Sequence, residues 1–321
     1  MKSVLVTGGA GFIGSHLCQA LIKKKIRVIC LDNFNDFYDS KIKDQNISCL
    51  QSQDNFLCYR EDIRNSAALN QIFEKHPIDC VVHLAALAGV RPSINNASSY
   101  IDVNVTGTLN LLEACKACDV SKFIFASSSS VYGNSTNVPF KETQSTDRQI
   151  SPYAASKKAC EILCHTYSHL YAMNIIALRF FTVFGPRQRP DLAIHKFVTQ
   201  MLDQQPITLY GDGSSSRDYT FVQDIVDGTL SAIEYLSNHS KVFEIINLGQ
   251  GKPVTLKQAI ETIESVFAQS LNYSFVDMPP GDVQMTCASI EKAHNLLNYQ
   301  PKVSFYEGIE KFKDWHLCIN T

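Results

Sequence analysis

The sequence predicts an α/β fold: a doubly wound parallel sheet with a smaller, discontinuous C-terminal substrate lobe. Three observations carry this. Short apolar runs alternate with stretches of helical periodicity through the first half of the chain. The first run, Val4-Leu5-Val6, empties directly into Thr7-Gly8-Gly9-Ala10-Gly11-Phe12-Ile13-Gly14, with four glycines in seven residues. The second run, Arg27–Leu31, ends on Asp32, 18 residues beyond Gly14.

Each element follows from local chemistry. A strand, a tight glycine turn and a helix starting near Phe12 form an anion site, because free backbone N–H groups and the positive end of the helix dipole converge there. Glycine lets a pyrophosphate approach that backbone and lets the helix pack on the strand. Gly8, Gly11 and Gly14 have G-x-x-G-x-x-G spacing. Asp32 stands near the distance expected of the carboxylate that takes the adenosine ribose hydroxyls, and its charge disfavours a 2′-phosphate, so NAD is expected over NADP.

The alternation continues along the chain. A loop rich in Asn, Asp and aromatics spans Asp32 to Lys43, and Phe56–Arg60 reads as the third strand. Glu61-Asp62-Ile63 follows at its end, where Asp62 can accept from an adenine amino group. Asn65 caps a helix over Ser66–Lys75. Cys80–Leu84 is the fourth strand, running into Ala85-Ala86, small residues that leave room for a cofactor. His83 within it reads as a core histidine. A long helical stretch spans Ser99–Ala117, with Asn104 inside it. Lys122–Ala126 is the fifth strand and empties into Ser127–Ser130; Pro152 opens a helix to about Met173, and Ile175–Phe180 is the sixth strand.

Beyond Phe180 the alternation loosens. Helices are expected at Ala193–Gln204, Val222–Ser237, Leu256–Gln269, Ile290–Leu297 and Phe305–Cys318, with strands at Thr208–Tyr210, Phe243–Asn247 and near Tyr273–Val276. The expected division is residues 1–178 and 219–247 for the cofactor domain, and 179–218 and 248–321 for the substrate lobe.

Composition bounds the reading. The chain has 321 residues, 45% hydrophobic and 19% charged, with net charge −2. That balance argues against a broad basic face for nucleic acid. No apolar run approaches the ~20 residues of a membrane span, and no signal peptide precedes the first strand, so a cytoplasmic protein is expected. The eleven cysteines are scattered; Cys115-x-x-Cys118 has no second pair, and the nine histidines lack metal-ligand spacing, so no metal is expected.

The chemistry converges on three elements. Tyr153 and Lys157 lie four apart on one helix and share a face. The ammonium is expected to lower the phenol pKa, making a base for a sugar or alcohol hydroxyl. A serine at the end of the fifth strand can hydrogen-bond the same hydroxyl, and NAD offers a hydride-accepting ring. Together these define alcohol oxidation.

These residues identify the chain as resembling the extended short-chain dehydrogenase/reductases, Rossmann-fold proteins, of the NAD-dependent sugar epimerase/dehydratase group. The resemblance covers essentially the whole chain. It rests on Thr7–Gly14, Asp32-Asn33, Asp62-Ile63, His83-Leu84-Ala85-Ala86, Asn104-Val105-Thr106-Gly107-Thr108, Ser127–Ser130 with Val131-Tyr132-Gly133, Ser151-Pro152-Tyr153 with Lys157, and Leu178–Pro186. It implies Tyr153 as catalytic base, Lys157 on the nicotinamide ribose, and Ser128 as the third catalytic hydroxyl, with Ser129 the alternative because four serines in a row blur the register. It implies a cofactor site drawn from Gly8, Gly11, Phe12, Ile13, Gly14, Asp32, Asn33, Asp62, Ile63, Leu84, Ala85, Ala86 and Asn104 besides the Tyr/Lys pair.

Two stretches, Leu87–Ile94 and Arg187–Phe197, resemble UDP-glucuronate 4-epimerases. Arg91 with Ser93 can meet a sugar carboxylate, since guanidinium–carboxylate pairing is geometrically specific. Thr182 and the serines at 127–129 are further donors, and Arg189 lies in the second stretch. By resemblance Arg217 clamps the diphosphate and Asp282 meets the uridine ribose. The dehydratase subgroup carries an Asp-Glu pair after its catalytic hydroxyl; serines stand there in this chain, which disfavours water elimination. The implied reaction is 4-epimerisation of UDP-glucuronate to UDP-galacturonate through a 4-keto sugar, on tightly bound NAD. UDP-glucose or UDP-N-acetylglucosamine epimerisation and UDP-glucuronate decarboxylation are the alternatives. The resemblance also implies a homodimer formed through the helices at Ser99–Ala117 and Pro152–Met173.

Overall fold

The computed structural model describes residues 1–277 and 283–320. Its centre is a seven-stranded, wholly parallel sheet. The strands are β1 (Ser3–Thr7), β2 (Arg27–Leu31), β3 (Phe56–Tyr59), β4 (Cys80–His83), β5 (Lys122–Ser128) and β6 (Asn174–Phe180), with Phe243–Leu248 on the outer side of β6. The order is β3-β2-β1-β4-β5-β6 and then that last strand. The order reverses between β1 and β4, and such a reversal opens a crevice beyond the carboxyl ends of the strands.

The apolar runs reflect burial on both sides. Val4 and Val6 enter one core and Leu5 the other; Val28 and Cys30 divide from Ile29 and Leu31 in the same way. Strands covered on both faces read as continuous apolar runs, with alternation appearing only as a choice of core. One core lies under α1 (Phe12–Lys23). The other lies under α3 (Ser66–Lys75), α6 (Gly107–Ala117) and α7 (Pro152–Tyr171). Between α1 and α3 runs a short α2 (Ser40–Ile47).

Several boundaries differ from the sequence reading. The loop expected to Lys43 already contains α2, started by Asp39, whose carboxylate accepts from Lys41 N at 2.9 Å. The helix expected over Ser99–Ala117 begins two residues earlier as α5 (Ala97–Tyr100) and passes through a π-helical turn at Ile101–Thr106 into α6, and a further short helix, α4 (Val90–Asn95), precedes it. π turns insert one residue and shift the facing side chains, here at Asn104. β5 continues to Ser128, so the first two serines of the run are strand residues. β6 starts one residue earlier than expected, at Asn174, and ends at Phe180 as the sequence reading has it.

The remaining elements build the rim. β7 (Thr182–Phe184) pairs with Tyr219–Phe221, Ile207–Tyr210 with Tyr273–Val276, and Ser216–Arg217 with Val254–Thr255. Buried Asp218 ties this region together: its carboxylate accepts from Gln250 N, Gly251 N and Ala288 N at 2.6, 2.9 and 2.8 Å. Among the described residues no helix is long and apolar enough to cross a membrane.

Candidate active site

One cleft of about 650 Å³ crosses the carboxyl ends of the sheet strands. At one end it is lined by Gly8, Gly11, Phe12, Ile13, Gly14, Asp32, Asn33, Asp62, Ile63, Leu84, Ala85 and Ala86. The glycine turn is needed sterically. Gly8 has φ +66°, and a Cβ there would lie 2.8 Å from Ala85 N, so the ends of β1 and β4 approach closely only without a side chain. A Cβ on Gly14 would lie 2.1 Å from the Gly8 carbonyl oxygen. Helix α1 begins here with no acidic residue in its first turn, leaving its positive end uncompensated.

Asp32 is buried and well engaged. Its carboxylate accepts from Ala10 N at 3.2 Å and Phe34 N at 2.9 Å, and pairs with Lys43 Nζ at 3.2 Å. Lys43, from α2, is itself buried and lines the cleft. The charge expected to repel a 2′-phosphate is therefore countered by a neighbouring cation. Asp62 is gripped by Arg64 and by Asn33 Nδ2 at 2.8 Å; the Arg64 hydrogen bond is the main cause holding its carboxyl down at about 2. Asn104 is placed behind the wall instead of in it. Its amide accepts from Leu87 N at 2.8 Å and donates to Leu87 O at 3.0 Å and Ser156 Oγ at 2.9 Å. It fixes the loop after β4 against α7.

The centre of the cleft is built by α7 against β5. Ser151 caps the helix through Ala154 N at 3.2 Å, and Pro152 occupies its first turn. Tyr153, Lys157 and Ser128 all line the cleft. Burial pushes the Tyr153 phenol up, while a hydrogen bond with Ser128 and then the Arg189 charge pull it back. Of the serines it is Ser128 whose hydrogen bond acts on the phenol; its Oγ also accepts from Ser130 N and donates to Ser130 Oγ, both at 3.1 Å. Ser129 begins a 3-10 turn, Ser129–Tyr132, and is not among the cleft residues. The expected pull of Lys157 on the phenol is absent. Its ammonium donates to the Ala126 carbonyl at 2.7 Å, and burial brings it down to about 8. Ser127 differs from expectation too. It donates to Glu161 Oε1 at 2.6 Å, so its proton is already committed.

Arg91, Thr182, Arg189 and Arg217 line the same cleft, and the Arg189 guanidinium lies 5.1 Å from the centre of the Phe37 ring, in the loop that follows Asp32. The Arg91 guanidinium lies 4.2 Å from the centre of the Tyr210 ring. Arg189 forms a two-point pair with Asp191, at 2.9 and 2.7 Å. Its loop is seated on α1 through His16, which meets Pro186 O at 2.9 Å. Ser93 is not in the cleft. It is fully buried, and its hydroxyl donates to Val90 O at 2.5 Å within α4. Asp282 lies outside the described residues.

His83 is a core residue: its ring nitrogens meet Thr7 Oγ1 at 2.7 Å and Thr108 Oγ1 at 2.9 Å. Sequence reasoning missed Lys43, Tyr210 and Asp191 as cleft residues, and Glu161 behind it. Lys43 was signalled by the Asp39 cap and by Ile42, Asn46 and Ile47 at helical spacing. Nothing local marked Tyr210 or Asp191. Among the described residues no cluster of His, Cys, Asp and Glu is arranged to hold a metal.

The comparisons agree with this architecture. The family model described as GDP-mannose 4,6 dehydratase matches residues 5–312. The UDP-glucuronate 4-epimerase of Thermodesulfobacterium geofontis is 43% identical over 316 residues, covering 98% of this chain and 96% of that protein. The crystal structure of UDP-glucuronic acid 4-epimerase from Bacillus cereus, in complex with UDP-glucuronic acid and NAD, superposes with a TM-score of 0.92 at 39% identity, covering 99% of both chains. UDP-N-acetylglucosamine 4-epimerase from Methanobrevibacter ruminantium, in complex with UDP-N-acetylmuramic acid, gives a TM-score of 0.90 at 33% identity, covering 99% of both chains. With a glycine turn at the sheet's order reversal and a Tyr-Lys-Ser constellation on α7 and β5, the chain belongs to the extended short-chain dehydrogenase/reductase family of nucleotide-sugar epimerases and dehydratases.

Proposed function

We propose that this protein is an isomerase, an NAD-dependent 4-epimerase of UDP-glucuronate that yields UDP-galacturonate. The observation that supports this is that Tyr153, Ser128 and Lys157 line one cleft together with the glycine turn and three arginines, Arg91, Arg189 and Arg217. The names of its relatives, UDP-glucuronate 4-epimerases from T. geofontis and B. cereus, support the choice of sugar.

The residues present fit a dinucleotide. The glycine turn leaves backbone N–H groups and the start of α1 open to a pyrophosphate, Asp32 lies at the ribose position, and Ala85 and Ala86 keep the wall beside β4 low. NAD supplies the acceptor and donor of hydride at the sugar C4. Tyr153 takes the C4 hydroxyl proton as hydride leaves and returns it after the 4-keto sugar has turned over. Ser128 holds the reacting oxygen and stabilises the phenolate. Lys157 adds positive charge on the ribose side. Arg91, Arg189 and Thr182 face the carboxylate and hold it out of alignment with the C4 carbonyl, which suppresses loss of carbon dioxide. Arg217 takes the diphosphate.

We place the protein in the cytoplasm, where eleven free thiols suit a reducing environment. We also read it as a homodimer through the faces of α6 and α7 that expose Leu109, Ile162 and Leu170. NMR of the purified protein with UDP-glucuronate tests the reaction. UDP-galacturonate is expected; a UDP-pentose with carbon dioxide, or no product, refutes it. Faster turnover of UDP-glucose or UDP-N-acetylglucosamine overturns the choice of sugar alone.

A further inference from the structure

Helix α7 grips the end of β5 at three successive residues. Tyr153, Lys157 and Glu161 recur every fourth position and so line one face of the helix. Tyr153 meets Ser128, Lys157 Nζ donates to the Ala126 carbonyl at 2.7 Å, and Glu161 accepts from Ser127 Oγ at 2.6 Å. The third grip is the most deeply buried. Glu161 is 2% exposed, and Arg179 clamps it from β6 with Nε–Oε1 at 2.8 Å and Nη2–Oε2 at 2.9 Å. Arg179 stands directly opposite Ser127 in the β5–β6 register, and its guanidinium lies 4.8 Å from the centre of the Tyr132 ring.

A buried ion pair is costly and adds little to stability over a packed apolar pair. The geometry gives this pair a use other than stability. Successive strand residues point to opposite faces, so fixing the Ser127 side chain fixes the peptide plane from which Ser128 projects. Ser128 is also paired with Phe180 in the β5–β6 register and bound to Ser130, whose N donates to its Oγ and whose Oγ accepts from it, both at 3.1 Å; the lock on Ser127 adds the hold from α7. We propose that Glu161, held by Arg179, is a positioning residue that aims the Ser128 hydroxyl at Tyr153 by locking Ser127.

The inference rests on the reading of Tyr153 as the base, but its test uses no sugar, so it fails or stands separately from the proposed reaction. The readout is the ionisation of Tyr153 in the NAD-loaded protein, followed by NMR of ring-labelled tyrosine and assigned by the resonance lost in Tyr153→Phe. Ser128 lowers the phenol in the wild type. The other titratable or charged groups around it, Arg189, Tyr100 and Lys157, are not substituted in any variant; Glu161→Gln alone also removes a charge that acts on Lys157, so Ser127→Ala is the deciding variant. Ser127→Ala and Glu161→Gln are each expected to raise the titration midpoint, weakening ionisation by about threefold or more. Ser127→Thr, which keeps the hydroxyl, is expected to restore the wild-type midpoint. With UDP-glucuronate, Ser127→Ala is expected to lower kcat by roughly tenfold or more with KM within about twofold, as for a small misplacement of a reacting group. An unmoved midpoint in folded Ser127→Ala overturns the proposal, as does failure of Ser127→Thr to restore it. Should Glu161→Gln not fold, Ser127→Ala decides alone, because it leaves the ion pair intact.

Discussion

The glycine turn offers the sharpest quantitative test, through Gly14→Ala. The added Cβ would lie 2.1 Å from the Gly8 carbonyl oxygen, 2.8 Å from Gly9 Cα and 2.9 Å from the Gly8 carbonyl carbon. All three are backbone atoms, so no side chain can swing aside. The Gly8 carbonyl must retreat by ~1 Å, an overpacking of the kind that costs ~1–3 kcal/mol. The same carbonyl accepts from Gly11 N at 3.1 Å, and losing that bond adds ~1 kcal/mol. The sum, ~2–4 kcal/mol, lowers Tm by roughly 3–6 °C in a chain of 321 residues, at ~2.1 cal/mol/K of unfolding entropy per residue. The displaced turn carries the backbone N–H groups read as the pyrophosphate site, so NAD affinity is expected to fall at least ~10-fold, the equivalent of ~1.4 kcal/mol. Gly11→Ala is the control: its Cβ meets only the Gly8 oxygen, at 3.2 Å, and stability is expected to change by less than ~1 kcal/mol. Thermal melts and NAD titration calorimetry on both variants give the comparison. Equal melting and equal NAD affinity for Gly14→Ala and the wild type refute the steric account.

Tyr153→Phe removes the phenolic oxygen; kcat is expected to fall by at least ~10²–10⁴ with NAD still bound, and retained turnover removes Tyr153 from the base role. Arg179→Met leaves the buried Glu161 carboxylate with only the longer Lys158 pair, at 3.6 Å, and is expected to cost up to ~3–5 kcal/mol in urea unfolding, against far less for the exposed Arg60→Met. Burial, and then Lys157, bring His83 down from 6.5 to about 3. The unfolded chain therefore binds one more proton between those values, and stability falls as pH drops through that window, by at most ~1.4 kcal/mol per pH unit. In His83→Gln that part of the acid slope is expected to vanish; an identical slope in both proteins refutes it.

Much of the cofactor end was legible in the sequence because its determinants are local. A strand, Gly8, Gly11, Gly14 and Asp32 lie within one βαβ unit, where spacing and backbone sterics decide the geometry. Tyr153 and Lys157 were legible for the same reason, since helix periodicity places them on one face. What those groups do to each other was not. Lys157 is drawn to the Ala126 carbonyl, and the charge acting on Tyr153 comes from Arg189, in a loop 36 residues further along the chain. Among four consecutive serines the sequence could not separate roles. Only the pairing of β5 with β6 and the packing of α7 turn Ser127 down to Glu161, bring Ser128 to the phenol and leave Ser129 outside the cleft. Ser93 and Asn104 fell behind the wall because a short helix and a π turn rotate them inward. The sequence by itself determined which chemistry is present and at which edge of the sheet it gathers, because backbone periodicity and glycine sterics act over a few residues. Tertiary packing decided which hydrogen-bond partner each polar group takes, because those partners are brought together only when distant elements bury one another.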